Sequence, residues 1–382
     1  MKDLTYFRLP GVEKQYSREP KNKAYLVILQ VREKAPGFLQ ESLEEISELV
    51  RACQIRILGF THGHVPHPSP SHFIREGKLI QVRDEVRRLG ANVLVFNVDL
   101  TPTQAGNIEA FTKAAVLDRT GVILHIFARR ARSREGKLQV ELAQLIYALP
   151  RLGGLGTVMS RMGGGIGGRG PGEQELERDR RKVRRRIQQV KAELQKVSKH
   201  RELIRSGRRR KNFCTVAIVG YTNAGKSTLL NALTGAQAYV EDKVFATLDP
   251  MVRMESLNGH DNLLFIDTVG FLKDLPHTLI ESFHATLEEV TEADILIHVL
   301  DISSPYAQEF KKAVETVLNE IHAGEKPTIL ALNKADLLDE NQNQSIHNQW
   351  PEGVLISAKE RLGLNSLLAK LDSLVQSRKS SP

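Results

Sequence analysis

Cysteine is nearly missing from this chain. There are two in 382 residues, Cys53 and Cys214. Their positions form no metal-ligand or disulfide spacing, which excludes a cysteine-based zinc module and a disulfide-stapled secreted scaffold. They read as two buried thiols in a reducing compartment. Long hydrophobic runs are missing as well: no stretch approaches the ~20 apolar residues that a membrane span needs. The opening residues, MKDLTYFRLPGVEKQ, mix charge with proline and hold no apolar h-region, so they do not read as a secretory signal. What remains is an ordinary globular composition, 41% hydrophobic and 26% charged, in a chain long enough for two or three domains. The expected setting is the cytoplasm.

The net charge of +9 is unevenly spread. Between Arg161 and Lys211 stand 18 Lys/Arg against 6 Asp/Glu, a net of +12, so the rest of the chain sums to −3. Charge concentrated in this way usually faces a polyanion. The competing reading is a solvated helix face that binds nothing.

Residues 1–22 are polar, contain Pro10 and Pro20, and read as a flexible tail. Short apolar runs then alternate with helical patterns. Ala24–Gln30, Ile55–Phe60 and Asn92–Val98 read as strands. Ser42–Gln54 reads as a helix with Ser42 as N-cap and Glu45 completing a capping box. Lys78–Gly90 reads as a helix ending on glycine, and Thr101–Ala115 as one opened by a threonine cap and a proline. Alternation of this kind implies a parallel sheet with helices packed on it, placed at 23–135. Between them lies THGHVPHPSPSH, with His62, His64, His67 and His72. Its three prolines break any regular ligand face, so it reads as a polar surface loop rather than a metal site.

At 136–210 the pattern changes to heptad seams. Leu138, Leu142, Leu145, Leu149 and Leu152 step by four and three, as do Leu176, Val183, Ile187, Val190, Leu194, Val197 and Ile204. Arg180 and Arg201 hold the two remaining seam positions. Two seams joined by a loop predict a long antiparallel helical hairpin. Its tip, 153–172, contains GGGIGGRGPG, seven glycines in ten residues. The spacing of Gly165, Gly167 and Gly170 matches the dinucleotide fingerprint G-x-G-x-x-G. That fingerprint needs a strand before it and an apolar helix after it; here a helix precedes it and a highly charged one comes after. The run instead lets backbone approach a partner closely, with Arg161 and Arg169 beside it and Arg184, Arg185 and Arg186 along the arm as candidate RNA contacts.

The clearest chemistry lies at 211–376, before a short tail at 377–382. The strand Val216–Val219 runs into Gly220, Tyr221, Thr222, Asn223, Ala224, Gly225, Lys226 and Ser227, with Thr228 next. This is G-x-x-x-x-G-K-[ST] in its strand–loop–helix context. Such a loop points backbone N–H groups at phosphates at the positive end of a helix. Lys226 would reach the β- and γ-phosphates, and the Ser227 hydroxyl would ligate Mg²⁺. The strand NLLFIDTVG delivers Asp267, for Mg²⁺, and Gly270, whose N–H would sense the γ-phosphate. TILALNKAD ends on Asn333, Lys334 and Asp336, the N-K-x-D pattern. The Asp336 carboxylate can accept from N1–H and N2–H₂ of guanine, a donor pair adenine lacks, which selects GTP over ATP. Ser357, Ala358 and Lys359 form a loop whose backbone can contact the guanine O6. A threonine should close over the γ-phosphate and Mg²⁺. Thr247 is the choice, with Thr234 and Thr222 as alternatives. Lys226, Thr247 and Gly270 form the catalytic set; Ser227, Thr247 and Asp267 form the metal set. Phe271 stands where small GTPases carry a water-orienting glutamine, so slow intrinsic hydrolysis is expected.

The stretches DRTGVILHIFARRARSREGKLQVELAQL, GGRGPGEQELE, GYTNAGKSTLLNALTG, FATLDP, DTVGF, DLPHTLIESFHATLEEV and NKAD together resemble the HflX family of P-loop GTPases, over about residues 23–376. The resemblance implies an N-terminal α/β domain, a helical hairpin and a C-terminal Ras-like G domain. It also implies GTP and Mg²⁺ binding, ribosome-stimulated hydrolysis, and binding to rRNA of the large ribosomal subunit to dissociate stalled or idle ribosomes; the seams, which look satisfied within one chain, point to a monomer. Two positions depart from the family pattern: Arg75 replaces a glycine in IREGK, and Met251 comes directly after TLDP. Arg75 puts a nucleotide-binding role of the N-terminal domain in doubt. The alternatives are a non-enzymatic, GTP-liganded RNA-binding scaffold, favoured by Phe271, and a nucleic-acid-remodelling ATPase, opposed by Asp336.

Overall fold

Among the described residues, four strands in the first half of the chain and six in the second decide the architecture. The computed structural model describes residues 22–31, 38–152, 171–210, 213–235, 245, 251–257, 260–273 and 284–379. Residues divide into two units, Met1–Arg129 with Leu138–Leu194, and Arg130–Lys137 with Gln195–Pro382.

The first unit holds β1 (Lys23–Gln30), α1 (Phe38–Ala52), β2 (Arg56–His64), α2 (Glu76–Leu89), β3 (Val93–Phe96), α3 (Pro102–Thr112), β4 (Ala115–Leu117) and α4 (Arg119–Arg130). The sheet is parallel, in the order β2-β1-β3-β4. Its central strands are buried on both faces, which is why Ala24–Leu29 and Val93–Phe96 are unbroken apolar runs rather than alternating ones. Thr101 caps α3 and Gln104 closes a capping box, as its sequence predicts. The box expected at Ser42 and Glu45 does not form. The α1 helix already begins at Phe38, so Ser42 lies inside it, and Glu45 instead pairs with Arg119 at 2.6 Å. The histidine stretch also differs from the expected loop. His62 and His64 extend β2, the edge strand, with exposed side chains. Among the described residues no group of three or more His, Cys, Asp or Glu is placed to hold a metal ion.

Two further helices are α5 (Arg134–Arg151) and α6 (Pro171–Arg210). At 40 residues, α6 is about 60 Å long. Leu138, Leu142 and Leu152 bury against Val183, Ile187 and Val190, with Leu145, Leu149 and Leu194 alongside, which is the middle of the seam the heptad spacing predicts; Val197 is half-buried outside this cluster, and the side chains of Leu176 and Ile204 lie outside the described residues. The seam charge Arg201 is matched by Glu135 at 2.5 Å. The end of α5 is pinned to the first sheet by Asp118. One carboxylate oxygen accepts from the Tyr147 hydroxyl at 2.7 Å and Gly121 N–H at 2.8 Å; the other accepts from Arg151 at 2.6 Å. Burial pushes the Asp118 pKa upward against the pull of Arg151, so the ion pair offsets a real desolvation cost. Among the described residues no helix is long and apolar enough to cross a membrane.

The second unit continues with β5 (Cys214–Gly220), α7 (Lys226–Thr234), β6 (Met251–Leu257), β7 (His260–Asp267), α8 (His284–Glu292), β8 (Ile295–Asp301), α9 (Ala307–Glu320), β9 (Thr328–Asn333), α10 (Glu340–Gln349), β10 (Val354–Leu355) and α11 (Leu364–Lys379). The order is β10-β9-β8-β5-β7-β6, parallel except for β6. The progression of the chain across the sheet reverses at β5, whose neighbours are β7 and β8. Ligands of open α/β sheets bind at such a switch point, beyond the carboxyl ends of the strands.

Candidate active site

The loop after β5 sits at that switch point. Val216–Val219 are fully buried, so β5 is a rigid support for this loop. Gly225 adopts φ 94° and is approached by the Asn333 side-chain amide so closely that a Cβ could not be accommodated. A glycine there is therefore required by the β9 end of the site as well as by the loop turn. From Lys226 the chain enters α7, whose first N–H groups face the loop as an anion site.

The Lys226 ammonium is buried and donates to the carbonyls of Gly220 at 3.1 Å and Tyr221 at 2.7 Å. Burial pulls its pKa down to about 8, with the Asp267 carboxylate pulling the other way. The Ser227 hydroxyl donates to Asp267 Oδ2 at 2.6 Å, and Asp267 is fully buried at the end of β7. A neutral and an anionic oxygen in contact, held on two rigid elements, fit a hard divalent cation such as Mg²⁺. Thr247, the third expected member of the metal set, lies outside the described residues, as do Arg161 and Arg169 of the helical tip.

The far wall is built by β9 and the loop after β10. Asn333 donates from Nδ2 to Ala224 O at 2.8 Å and accepts at Oδ1 from Ala358 N at 2.9 Å. Asp336 is exposed and accepts from the buried Ser357 hydroxyl at 2.5 Å, which orients its carboxylate. The Ala358 N–H is thus engaged by Asn333, while Lys359 stands exposed beside Glu360. Lys334, in the left-handed region at φ 68°, pairs with Asp301 at 2.7 Å. The structure therefore gathers the four sequence motifs, separated by up to about 140 residues, around one crevice.

Three features of the surroundings add to the sequence reading. Tyr221 stacks on Phe310 of α9 with centroids 4.1 Å apart and planes 10° from parallel. Phe271 is fully buried, and its backbone is bridged to Tyr221 of the loop. His298 of β8 is buried, and among the described residues its Nε2 has no hydrogen-bond partner. Burial, with Lys311 and Lys226 nearby, pulls the His298 pKa down to about 3. Phe271 carries a signal in its hydrophobicity; the other two have none in the local sequence.

Along α6 the structure separates the three arginines expected to meet RNA. Arg185 is exposed. Arg184 is exposed with Glu177 at 3.9 Å. Arg186 instead grips Glu141 of α5 with two bonds, 2.6 and 2.9 Å, so its first role is to hold the two helices together.

Three family models match the chain. They are described as GTP-binding GTPase N-terminal over residues 40–128, GTP-binding GTPase Middle Region over 130–208, and 50S ribosome-binding GTPase over 215–334. A GTPase HflX of Caldanaerobacter subterraneus subsp. tengcongensis is 48% identical over 336 residues, covering 87% of this chain and 77% of that protein. The GTPase HflX of Escherichia coli strain K12 is 44% identical over 333 residues, 87% of this chain and 78% of that one. Among solved structures, a crystal structure of an SsGBP and GDP complex superposes with a TM-score of 0.52 at 26% identity, covering 93% of this chain and 99% of the other.

Proposed function

The chain belongs to the HflX family of GTPases, and from that premise we propose that it is a GTPase acting on the large ribosomal subunit to separate stalled or idle ribosomes. It binds and hydrolyses GTP, as its family does. In the proposed arrangement Lys226 contacts the β- and γ-phosphates and the N–H groups of residues 223–228 cradle them. Gly270 N–H meets the γ-phosphate, and Asp336 selects guanine. Ser227, Asp267 and Thr247 would hold Mg²⁺, which would supply charge neutralisation of the phosphates. Lys226 and the α7 N-terminus supply fixed positive potential where charge develops during phosphoryl transfer.

The observation that carries the ribosome reading is the match of residues 215–334 to a model described as a 50S ribosome-binding GTPase. The strongly basic α6 supports it, because rRNA is the polyanion such a helix would face. The domain limits proposed are 23–135, 136–210 and 211–376, with the hairpin tip at 153–172 as the RNA-facing end. The reading includes a monomer, supported by the filling of the described part of the seam within one chain, and a cytoplasmic setting.

The test is co-sedimentation with purified large subunits, in GTP analogue and in GDP, across a salt series. Replacing Arg184 and Arg185 by Ala should weaken binding and flatten its salt dependence by about one unit of slope per lost contact. No sedimentation with the subunit in either nucleotide would refute the ribosomal role.

A further inference from the structure

The Lys226 ammonium carries three donors, and the phosphate loop engages two of them. Nζ donates to the carbonyls of Gly220 at 3.1 Å and Tyr221 at 2.7 Å. In the proposed nucleotide site the third donor is the one that meets the phosphates. An ammonium on a flexible four-carbon stem has no fixed aim of its own. Its direction is set by the two carbonyls, and therefore by whatever holds Gly220 and Tyr221.

Two consecutive elements, β8 and α9, hold them. Gly220 is paired with Val299 of β8, and a Cβ at Gly220 would run into the Val299 carbonyl. The loop therefore starts pressed onto the neighbouring strand. Tyr221 is held from α9. Its buried ring lies on the Phe310 ring, with centroids 4.1 Å apart and planes 10° from parallel, and the Tyr306 ring is tilted against Phe310 at 6.3 Å. The Tyr221 carbonyl also forms a corner of the loop turn, since it accepts from Ala224 N at 3.3 Å. A shift of the ring carries with it the carbonyl that takes the shorter bond from Lys226. The four nucleotide motifs place no residue in α9, so Phe310 acts from outside the set that phosphate chemistry prescribes.

We propose that Phe310 is a positioning residue for phosphate binding: stacked on Tyr221, it fixes the Tyr221 carbonyl and so aims the Lys226 ammonium at the phosphates. This rests on the proposed nucleotide site. Precise placement matters because a misplacement of about 1 Å can cost a reaction on the order of a hundredfold in rate. The glycines at both ends of the loop leave its backbone free to take other shapes, and the stack selects one of them.

The test is a double-mutant cycle on the affinity of the full chain for GDP. Phe310→Ala should weaken GDP binding on the order of tenfold, and Phe310→Leu, which keeps an apolar side chain but loses the flat ring, by a smaller factor in the same direction. Phe310→Tyr keeps the stack and should stay within about twofold of the unsubstituted chain. In a Lys226→Met background Phe310→Ala should lose most of its effect, because the ammonium it aims is gone. A merely structural role would weaken GDP binding by the same factor in both backgrounds, and that additive result overturns the proposal while the nucleotide site stands. Unchanged GDP affinity in both Phe310→Ala and Phe310→Leu would overturn it too. If Lys226→Met alone left GDP affinity unchanged, the nucleotide site and the proposal would fall together.

Discussion

The Asn333 side-chain amide donates to the carbonyl of Ala224, 109 residues earlier in the chain, at 2.8 Å. The same side chain accepts from Ala358 N–H at 2.9 Å. One residue thereby ties the phosphate loop, the end of β9 and the loop after β10 into a single unit.

Replacing Asn333 with Ala leaves a buried carbonyl and a buried N–H without their partner. Each orphaned group costs about 1–3 kcal/mol, so the variant should lose a few kcal/mol in a urea titration. Calorimetry should show weakened binding of GDP and of a GTP analogue together, because loop geometry is shared by both. Full stability with unchanged affinity would show that the loop is held by other means.

Asp336 is presented to solvent with its carboxylate oriented by Ser357. An Asp336→Asn substitution replaces one acceptor with a donor opposite the guanine N1–H and N2–H₂. Loss of a charge-assisted pair is worth about 1.5–3 kcal/mol, so GTP affinity should fall on the order of tenfold to a hundredfold. Competition by ATP should become correspondingly easier to detect. Retained GTP preference would place base recognition elsewhere.

Much of this site is legible in the sequence because phosphate chemistry demands particular residues at fixed spacing. Gly220–Gly225, Asp267, Gly270 and Asn333 fall on strand ends or on the loops adjoining them, Lys226 and Ser227 open α7, and Asp336 lies in the short turn after β9. The seam of α5 and α6 is legible for the same kind of reason, since burial imposes a period. What stays hidden depends on partners distant in the chain. Nothing near Arg186 announces Glu141, and nothing near Glu45 announces Arg119, so in sequence the arginine reads as an RNA contact and the glutamate as a cap. The β2 strand runs past its expected end because alternating small and polar residues suit an exposed edge as well as a loop. Both His62 and His64 occupy that edge.

Lys226 carries a pKa drawn down to about 8 by burial. Phosphates beside it favour the charged form, so nucleotide binding above pH 8 should take up a proton. Titration calorimetry at about pH 8.5 in buffers of different ionisation enthalpy measures this directly. A binding enthalpy that does not depend on the buffer would show that Lys226 is already fully protonated.

His298 should make the fold acid-sensitive. Its pKa is about 3 in the folded chain against an ordinary value of 6.5, so between those values the unfolded chain binds a proton that the fold refuses. The stability it permits is present above pH 6.5 and is lost progressively as pH falls toward 3. His298→Leu should flatten that part of the stability–pH curve in denaturant titrations. An unchanged slope would assign the acid sensitivity to other groups.

The most direct test of a ribosome-acting GTPase is the GTP turnover rate of the full chain, alone and with purified large ribosomal subunits. The buried Phe271 contributes no group to orient water, so turnover should be slow alone and rise by orders of magnitude with the subunit. A rate that does not respond to saturating subunits would contradict the proposal that the ribosome is the partner that activates it.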